Sequence, residues 1–526
     1  MYTPVEGLED LSAGVGTAMT DIPGQAMRLA DRPIMLCEFA HAMGNGPGGV
    51  AAYERAFDTL PGVIGGLVWE WRDHGLRTTI DGRPDFAYGG DFGETVHDGT
   101  FVIDGLTAPD GTASPGLAEV AAHFGPVRLE FTAGGLRVRN LRHSQDTSDL
   151  VFTLTEDGPD GAEPQSRRLD VPVVAAGDEA MVAVPLAASA PHERWISVTA
   201  SLAEATPWAP AGHAVARAQR VDAIPAAPLS ARRSTVAGWQ VGPVVLDEST
   251  GRPVAWAGVP VSDSDVSLWR APTSNDSLGM FGSYELGDVA ATRGLGVPGP
   301  SSEARWRAAG LDRMESRLVS ITHDGESIVI RRRQSAAQAS WGVDVIEHWT
   351  EVAGRAAVGL DILPFGAWPS TWPRVGWHLL LPGAYAAARW VGMGPGEAYP
   401  DSDAAAWLGR FASPLDDLAF EYVVPQESGH RPGLRRLEVV GPGLPTLQVT
   451  AGGPAWPGFT LARHDAHELD RADHRSALPD SRGVHLYLDA AQHGVGSRSC
   501  GPDVRPEAQL WPRAVRIDVV LGVAMT

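Results

Sequence analysis

The stretch Pro33-Ile34-Met35-Leu36-Cys37-Glu38 is an apolar run that ends on an acidic residue. A second apolar run, Val63-Ile-Gly-Gly-Leu-Val-Trp69, follows a segment (residues 48–60) whose apolar residues have nearly helical spacing. Strand, helix and strand, with no alternation inside the strands, are typical of parallel α/β structure. Both strands have residues with potential functional roles at their carboxyl ends. A (β/α)8 barrel carries its catalytic residues at the carboxyl ends of its strands. A whole barrel needs about 250 residues, so we predict that residues 1–124 form only its C-terminal part.

The remainder of the chain has the pattern of β structure. Residues 125–224 contain short alternating runs such as Val127-Arg-Leu129-Glu-Phe131, which are separated by Asp, Gly and Pro turns. About a hundred residues of this kind predict an immunoglobulin-like β-sandwich. Residues 225–526 are also rich in strand patterns and turn residues, and they predict one large C-terminal β-sandwich domain. The predicted fold class is therefore multidomain α/β plus all-β.

Composition excludes several classes of function. The net charge is −22, which argues against a nucleic-acid partner because such a partner requires a basic face. No apolar run is long enough to span a bilayer, so no membrane partner is predicted. The two cysteines cannot build a disulfide framework, and the sequence after Met1 has no signal-peptide pattern. These features favour a cytoplasmic protein that acts on a small neutral substrate.

Glu38, His41 and Trp69 form the candidate site that the residues themselves suggest. Glycoside hydrolysis requires two carboxyl groups, which in retaining enzymes lie about 5–5.5 Å apart. Glu38 could be one of them, His41 could bind sugar hydroxyls, and Trp69 offers a face on which a pyranose can stack. The alternative is that Glu38 is a solvated strand end and His41 a structural histidine, and the spacing alone does not decide between them.

Longer motifs carry a resemblance to a known family. The chain resembles the bacterial β-galactosidases of glycoside hydrolase family 2 in several motifs that occur in the same order and at matching spacing. These motifs are Cys37-Glu38-Phe-Ala-His41-Ala-Met-Gly-Asn45, Gly65-Gly-Leu-Val-Trp69-Glu-Trp71, Tyr88-Gly-Gly-Asp91, Phe101-Val-Ile-Asp104, Trp208-Ala-Pro-Ala-Gly-His213, Trp269-Arg-Ala-Pro-Thr-Ser-Asn275-Asp276, Gly392-Met-Gly-Pro-Gly-Glu397 and Tyr422-Val-Val-Pro-Gln-Glu427. The resemblance covers essentially the whole chain.

The resemblance assigns roles to single residues. It implies that Glu38 is the catalytic nucleophile and that Tyr2 is the tyrosine that neighbours it. His41 and Trp69 match residues that contact galactose. Cys500 falls where a relative carries an active-site tryptophan, so it is either a substrate contact with an altered aglycone subsite or a small buried thiol.

The resemblance also implies metal ions. The backbone carbonyl of Phe101 and the side chain of Asp104 match ligands of a sodium ion that touches the sugar. A relative has Asn at the second position, and Asp keeps an oxygen ligand while adding charge. Magnesium is expected for the family, but its main ligands and the acid/base glutamate lie upstream in the family order, and no equivalent segment is present in this chain.

Two hypotheses for function follow. In the first, the chain is the C-terminal half of a retaining β-galactosidase that hydrolyses terminal β-D-galactosides such as lactose. It would then require a missing N-terminal half or a complementing chain, would form a homo-oligomer when complete, and would be inactive or weakly active alone. In the second, the chain is a non-catalytic carbohydrate-binding or structural β-protein. An upstream reading frame that encodes an acid/base motif would favour the first hypothesis.

A group of histidines in the C-terminal region suggests a metal site at first sight. His464, His467 and His474 lie close together in the sequence. Their spacing matches no standard zinc site, so we predict a polar surface segment without a metal.

Overall fold

The structure is a computed structural model that describes residues 4–13, 33–159, 161–185, 193–222, 233–234, 238–279 and 281–524. Tyr2 and most of the segment between the second and third predicted domains lie outside the described residues. The α-helices are α1 (Val5–Ser12), α2 (Val50–Thr59), α3 (Pro115–His123), α4 (Ser274–Ser277), α5 (Ser302–Ala309) and α6 (Ala466–Arg471). No described helix is both long and apolar enough to cross a membrane.

The first part of the chain contains a strand–helix–strand unit. Strands β1 (Ile34–Phe39) and β2 (Val63–Val68) pair in parallel, and α2 connects them. The predicted strand, helix and strand are therefore confirmed, with ends shifted by one to three residues. Strands β3 (Leu76–Ile80) and β4 (Arg83–Ala87) form a separate antiparallel hairpin.

One face of the β1–β2 sheet is open. Met35, Ile64 and Leu67 expose 52%, 64% and 56% of their surface. The opposite face packs against α2, where Phe39 is fully buried beside Tyr53. The sequence predicted strands buried on both faces, and that prediction is wrong for this chain because nothing among the described residues covers the second face.

The second part of the chain is a two-sheet structure. One sheet contains β5 (Val127–Thr132), β6 (Gly135–Asn140) and β9 (Glu179–Val182), in the order β5-β6-β9. The other contains β7 (Leu150–Asp157), β8 (Gln165–Arg168), β10 (Arg194–Leu202) and β11 (Ala214–Asp222), in the order β11-β10-β7-β8. Residues of both sheets share one hydrophobic core, as the alternating sequence pattern predicts.

The third part is dominated by a 10-stranded sheet and a 4-stranded sheet, which share the largest core of the described residues. The 10-stranded sheet is made of β12 (Arg233–Ser234), β18 (Glu315–His323), β19 (Ser327–Ser335), β20 (Gly342–Val352), β21 (Arg355–Phe365), β23 (Ala387–Gly394), β24 (Trp407–Pro414), β25 (Arg436–Val440), β26 (Leu447–Ala451) and β29 (Val515–Val523). The 4-stranded sheet is made of β17 (Asp263–Ser267), β22 (Arg374–Leu381), β27 (Gly458–Ala462) and β28 (Val484–Gln492). A smaller sheet contains β13 (Gln240–Val241), β14 (Val244–Leu246), β15 (Pro253–Trp256) and β16 (Val259–Pro260).

A buried charged cluster joins the two helices that support β1. His123 of α3 lies 2.8 Å from a Glu54 carboxylate oxygen and 3.0 Å from one of Glu119. Burial of the imidazole opposes its charged form, but the hydrogen bonds to Glu119 and Glu54 outweigh this effect and raise the pKa of His123 to about 9. The folded chain therefore holds this proton more tightly than the unfolded chain does.

This cluster predicts how stability depends on pH. A raised histidine pKa contributes stability that is fully present below about pH 6.5 and is lost as the pH rises through about 9. The shift corresponds to about 3 kcal/mol. We expect the free energy of unfolding to fall between pH 6.5 and 9 in the wild type and to fall much less in His123→Gln, as measured by urea denaturation. The exposed-residue variant His143→Gln is the control, and an equal fall in all three proteins would contradict the prediction.

Candidate active site

The candidate nucleophile lies near the carboxyl end of β1. Glu38 is the penultimate residue of the strand and is partly exposed. The next residue, Phe39, is fully buried and contacts the rings of Tyr53 and Phe57 on α2 at centroid distances of 5.1 Å. The pairing of β1 with β2 is irregular between Leu36 and Phe39, and at this strand end Glu38 is partly exposed while Phe39 packs against the helix.

Asp104 connects the ends of the two strands. Its Oδ2 atom accepts a hydrogen bond from Nε1 of Trp69 at 3.1 Å and lies 3.3 Å from Nε2 of His41. His41 and Asp104 are each only 2% exposed. The backbone continues this connection, because the amide of Glu70 donates to the carbonyl of Asp104 at 2.9 Å. The residues that follow β1 and β2 are thus held against one buried carboxylate.

His41 is held from its other side by the third part of the chain. Its Nδ1 atom lies 2.8 Å from Oγ of Ser499, and that hydroxyl donates to Oδ1 of Asn275 at 2.7 Å. Because the Ser499 proton is used by Asn275, Nδ1 of His41 is the donor in the first bond. The chain Asn275–Ser499–His41–Asp104 therefore orients the imidazole at both nitrogens.

The loop that carries Ser499 is also fixed by buried ion pairing. Arg270 is fully buried, and its guanidinium donates to both carboxylate oxygens of Asp276 and to the carbonyls of His493 and Gly494. Gly48 packs directly on the same loop, where an added Cβ would lie 2.6 Å from the amide nitrogen of Gly496. The large β-structure thereby holds its loop against the residues that follow Glu38.

Cys500 lies in this loop beside the candidate nucleophile. It is partly buried, and burial together with the nearby charges of Glu38 and Asp104 raises the pKa of its thiol. A raised pKa keeps the thiol neutral at physiological pH, so Cys500 presents a small, weakly polar group to the site. This position is compatible with either of the two roles that the sequence left open.

Asp104 has one oxygen that suits a cation. Its Oδ1 atom is buried, and no N–H or hydroxyl group among the described residues donates to it. Burial and the contact with Asp104 raise the pKa of the Glu70 carboxyl to about 6, which shows that the two acidic groups oppose each other's charge. Two neighbouring carboxyl groups with an unfilled oxygen are a donor set that fits a hard cation such as sodium.

The structure brings Glu38, His41, Trp69, Asp104 and Cys500 together. The ring of Phe101 also lies near that of His41, at a centroid distance of 6.1 Å. Tyr2 lies outside the described residues. The roles assigned to these residues stay predictions.

The sequence reasoning missed Ser499, Asn275 and Glu70 as site residues. Asn275 belongs to one of the motifs quoted above, and Glu70 directly follows Trp69. Their positions in the sequence could therefore have led to both residues. Ser499 had only its position next to Cys500.

Three family models match the chain. The model described as "Glycosyl hydrolases family 2, TIM barrel domain" matches residues 1–129. "Beta-galactosidase, domain 4" matches residues 136–221, and "Beta galactosidase small chain" matches residues 241–521, more than half of the chain.

Curated relatives agree with these matches. A β-galactosidase of Arthrobacter sp. (strain B7) is 42% identical over 93% of this chain and 50% of its own length. A β-galactosidase of Aeromonas hydrophila subsp. hydrophila is 32% identical over 93% of this chain and 48% of its own length. The chain therefore spans about half the length of the curated relatives it matches. A galactose mutarotase-like protein from Lactobacillus casei covers 54% of this chain and 93% of its own, with 7% identity and a TM-score of 0.27, too weak a likeness to bear on fold or function.

Proposed function

The chain belongs to the β-galactosidases of glycosyl hydrolase family 2, and from this premise we propose that it supplies the nucleophile half of a retaining β-galactosidase active site. The proposed substrates are terminal β-D-galactosides such as lactose. The proposal is supported above all by one observation: Glu38 lies near the end of β1, three residues before His41 of the buried His41–Asp104–Trp69 cluster, and the charges of Glu38 and Asp104 both act on the Cys500 thiol. A carboxylate at the carboxyl end of a barrel strand is where this fold carries its chemistry.

The proposed reaction uses Glu38 in covalent catalysis. Its carboxylate attacks the anomeric carbon, the bond to the leaving oxygen breaks, and a galactosyl ester forms. A second carboxyl group protonates the leaving oxygen and then takes a proton from the water that cleaves the ester. We propose that this acid/base residue comes from the other half of the enzyme. Two successive inversions at the anomeric carbon give overall retention.

The neighbouring residues have proposed roles in binding. His41 would contact a sugar hydroxyl by releasing one of its two present contacts, with Ser499 or with Asp104, and the 40%-exposed ring of Trp69 would stack on the C–H face of the galactose. Cys500 would border the aglycone side, where a thiol leaves more room than an indole. Tyr2 is proposed to contact Glu38.

Metal ions are part of the proposal. The unfilled Oδ1 of Asp104 and the backbone carbonyl of Phe101 would hold a sodium ion, which would supply a positive charge to polarise and position sugar hydroxyls. Magnesium would bind mainly to residues of the other half.

The organisation of the complete enzyme is likewise a proposal. We divide the chain into a barrel part (1–124), an immunoglobulin-like sandwich (125–224) and a large sandwich (225–526). The complete enzyme would be a cytoplasmic homo-oligomer in which each barrel is closed by the other half of the enzyme.

The test combines stereochemistry with labelling, on this chain assembled with an upstream family half. Proton NMR during hydrolysis of a nitrophenyl β-galactoside should show β-galactose before the α anomer. A 2-fluoro galactosyl inactivator should label the peptide that contains Glu38. First appearance of the α anomer would overturn retention, and a label on another carboxylate would overturn the assignment of Glu38.

A further inference from the structure

A cluster of potential metal ligands lies far along the chain from the residues discussed so far. It contains Asp465 and Glu468 at the start of α6, and His485 on β28. One carboxylate oxygen from each acid and one ring nitrogen of His485 all lie within 4.8 Å of one another. We call these three residues the α6 cluster. It includes part of the histidine-rich segment for which the sequence predicted no metal.

His485 provides the observation that points to a ligand. The side chain is only 1% exposed, and its Nδ1 atom lies 2.9 Å from Nε2 of His378. Its other nitrogen, Nε2, is buried and has no hydrogen-bond partner among the described residues. A buried polar atom without a partner is costly, so a site that satisfies Nε2 would stabilise the fold.

The two carboxylates are held in place by the backbone. Oδ1 of Asp465 accepts from the amides of His467 and Glu468, and Oε2 of Glu468 accepts from the amide of Asp465 at 3.1 Å. This reciprocal capping arrangement fixes both side chains without using all of their lone pairs. The remaining oxygens, Oδ2 of Asp465 and Oε1 of Glu468, each pair with Arg482 at 3.0 Å.

The guanidinium of Arg482 therefore lies where a metal ion would contact the two carboxylates, but its side chain is not fixed there. Its side chain is 62% exposed, so it can move into water when another cation binds. His464 borders the cluster without being part of it: its Nδ1 is buried without a hydrogen-bond partner among the described residues and lies 3.7 Å from Oε2 of Glu468, so a side-chain movement toward the cluster would make it a fourth ligand.

We propose that Asp465, Glu468 and His485 form a zinc-type metal site, with His464 as a fourth ligand. Two carboxylates and two imidazoles are a ligand set that suits Zn²⁺ and related transition ions, whereas Mg²⁺ and Ca²⁺ prefer oxygen alone. Tetrahedral coordination places ligand atoms about 3.3 Å apart, so the cluster must contract by about 1 Å or more at its widest.

Binding also fixes the protons. The metal takes the lone pair of Nε2, any proton there leaves to solvent, and His485 donates Nδ1–H to Nε2 of His378. Such a second hydrogen bond commonly orients a metal-bound imidazole. The metal would clamp α6 to β28 in the large sandwich, and this inference does not depend on the proposed glycosidase activity.

The test measures Zn²⁺ directly. The chain is treated with a chelator, dialysed against ZnCl2 and analysed for bound zinc, and the affinity is measured by calorimetric titration. We expect the wild type to bind one more Zn²⁺ per chain than Glu468→Gln and His485→Gln do, and Zn²⁺ to raise the thermal transition of the wild type but not of these two variants. Asp473→Asn, which neutralises an exposed carboxylate nearby, should behave as the wild type.

A further variant distinguishes the loss of a metal ligand from a loss of zinc binding that is caused by misfolding. Arg482→Gln removes the cation that competes for both carboxylates, so it should tighten Zn²⁺ binding, by about fivefold if the displaced ion pairs are of ordinary surface strength. A purely structural cluster would show no such gain. Equal zinc content in the wild type and in both ligand variants, or unchanged affinity in Arg482→Gln, would overturn the proposal.

Discussion

Glu38→Gln is expected to lower kcat of the assembled β-galactosidase by about 10³-fold or more, because the amide cannot attack the anomeric carbon. This loss corresponds to at least about 4 kcal/mol of transition-state stabilisation. The substitution keeps the shape of the side chain, and Phe39, which anchors the end of β1, is unchanged. The thermal transition should therefore stay within a few degrees of the wild type. Initial rates on a nitrophenyl β-galactoside measure the effect.

Two further measurements separate a lost nucleophile from a damaged site. Glu94→Gln is the matched control, because it removes an exposed carboxylate from the same part of the chain. In Glu38→Ala, added azide should restore turnover and give α-galactosyl azide, since a small anion fits the vacated space and attacks with a single inversion. A loss of less than tenfold in Glu38→Gln, or a rescued product with the β configuration, would refute the role of Glu38.

The site residues that could be predicted from the sequence are those that lie in short sequence motifs. Glu38 lies near the end of β1, His41 follows three residues later, and Trp69 directly follows β2, which pairs with β1 in parallel. Parallel pairing then brings them to the same edge without further information. Asp104 was found through resemblance, and the structure shows a physical reason for its position, because it accepts from Trp69 and contacts His41.

The rest of the site depends on contacts that no local pattern encodes. Ser499 lies 458 positions from His41 in the sequence, yet the two side chains are 2.8 Å apart. That approach requires the buried Arg270–Asp276 pair to hold the loop after β28, and a single sequence gives no sign of the pairing. The burial of β2 was predicted wrongly for a related reason. An apolar run indicates that a strand is suited to burial, but it does not show whether another element packs on each face of that strand.

The histidine-rich segment shows the same limit. His474 was predicted to be in a polar surface segment, but it is buried, stacked on Tyr88 and 2.9 Å from Asp91. The prediction that this segment holds no metal compared only the spacing of histidines within one segment with the spacing in standard zinc sites. The cluster proposed above takes two ligands from α6 and one from β28, which the fold alone brings together.

The chain alone is expected to have at least about 10²-fold to 10⁴-fold less activity than the assembled enzyme, which is the usual cost of losing general acid catalysis. The open face of the β1–β2 sheet is the surface on which the other half of the enzyme is expected to pack. Ile64 and Leu67 are 64% and 56% exposed, and covering such a face with barrel strands is strongly favourable. Adding a separately produced upstream half should therefore restore turnover of a nitrophenyl β-galactoside in a concentration-dependent way.

Variants of the open face test whether assembly goes through it. Leu67→Lys should abolish complementation while leaving the fold of the chain intact, because the side chain is already in water. Val319→Lys, at a 59%-exposed position of β18 in the large sandwich, is the matched control and should complement normally. Full activity of the chain alone would refute the need for a second half. Failure of every half to restore activity, together with retained galactoside binding, would favour a non-catalytic carbohydrate-binding protein.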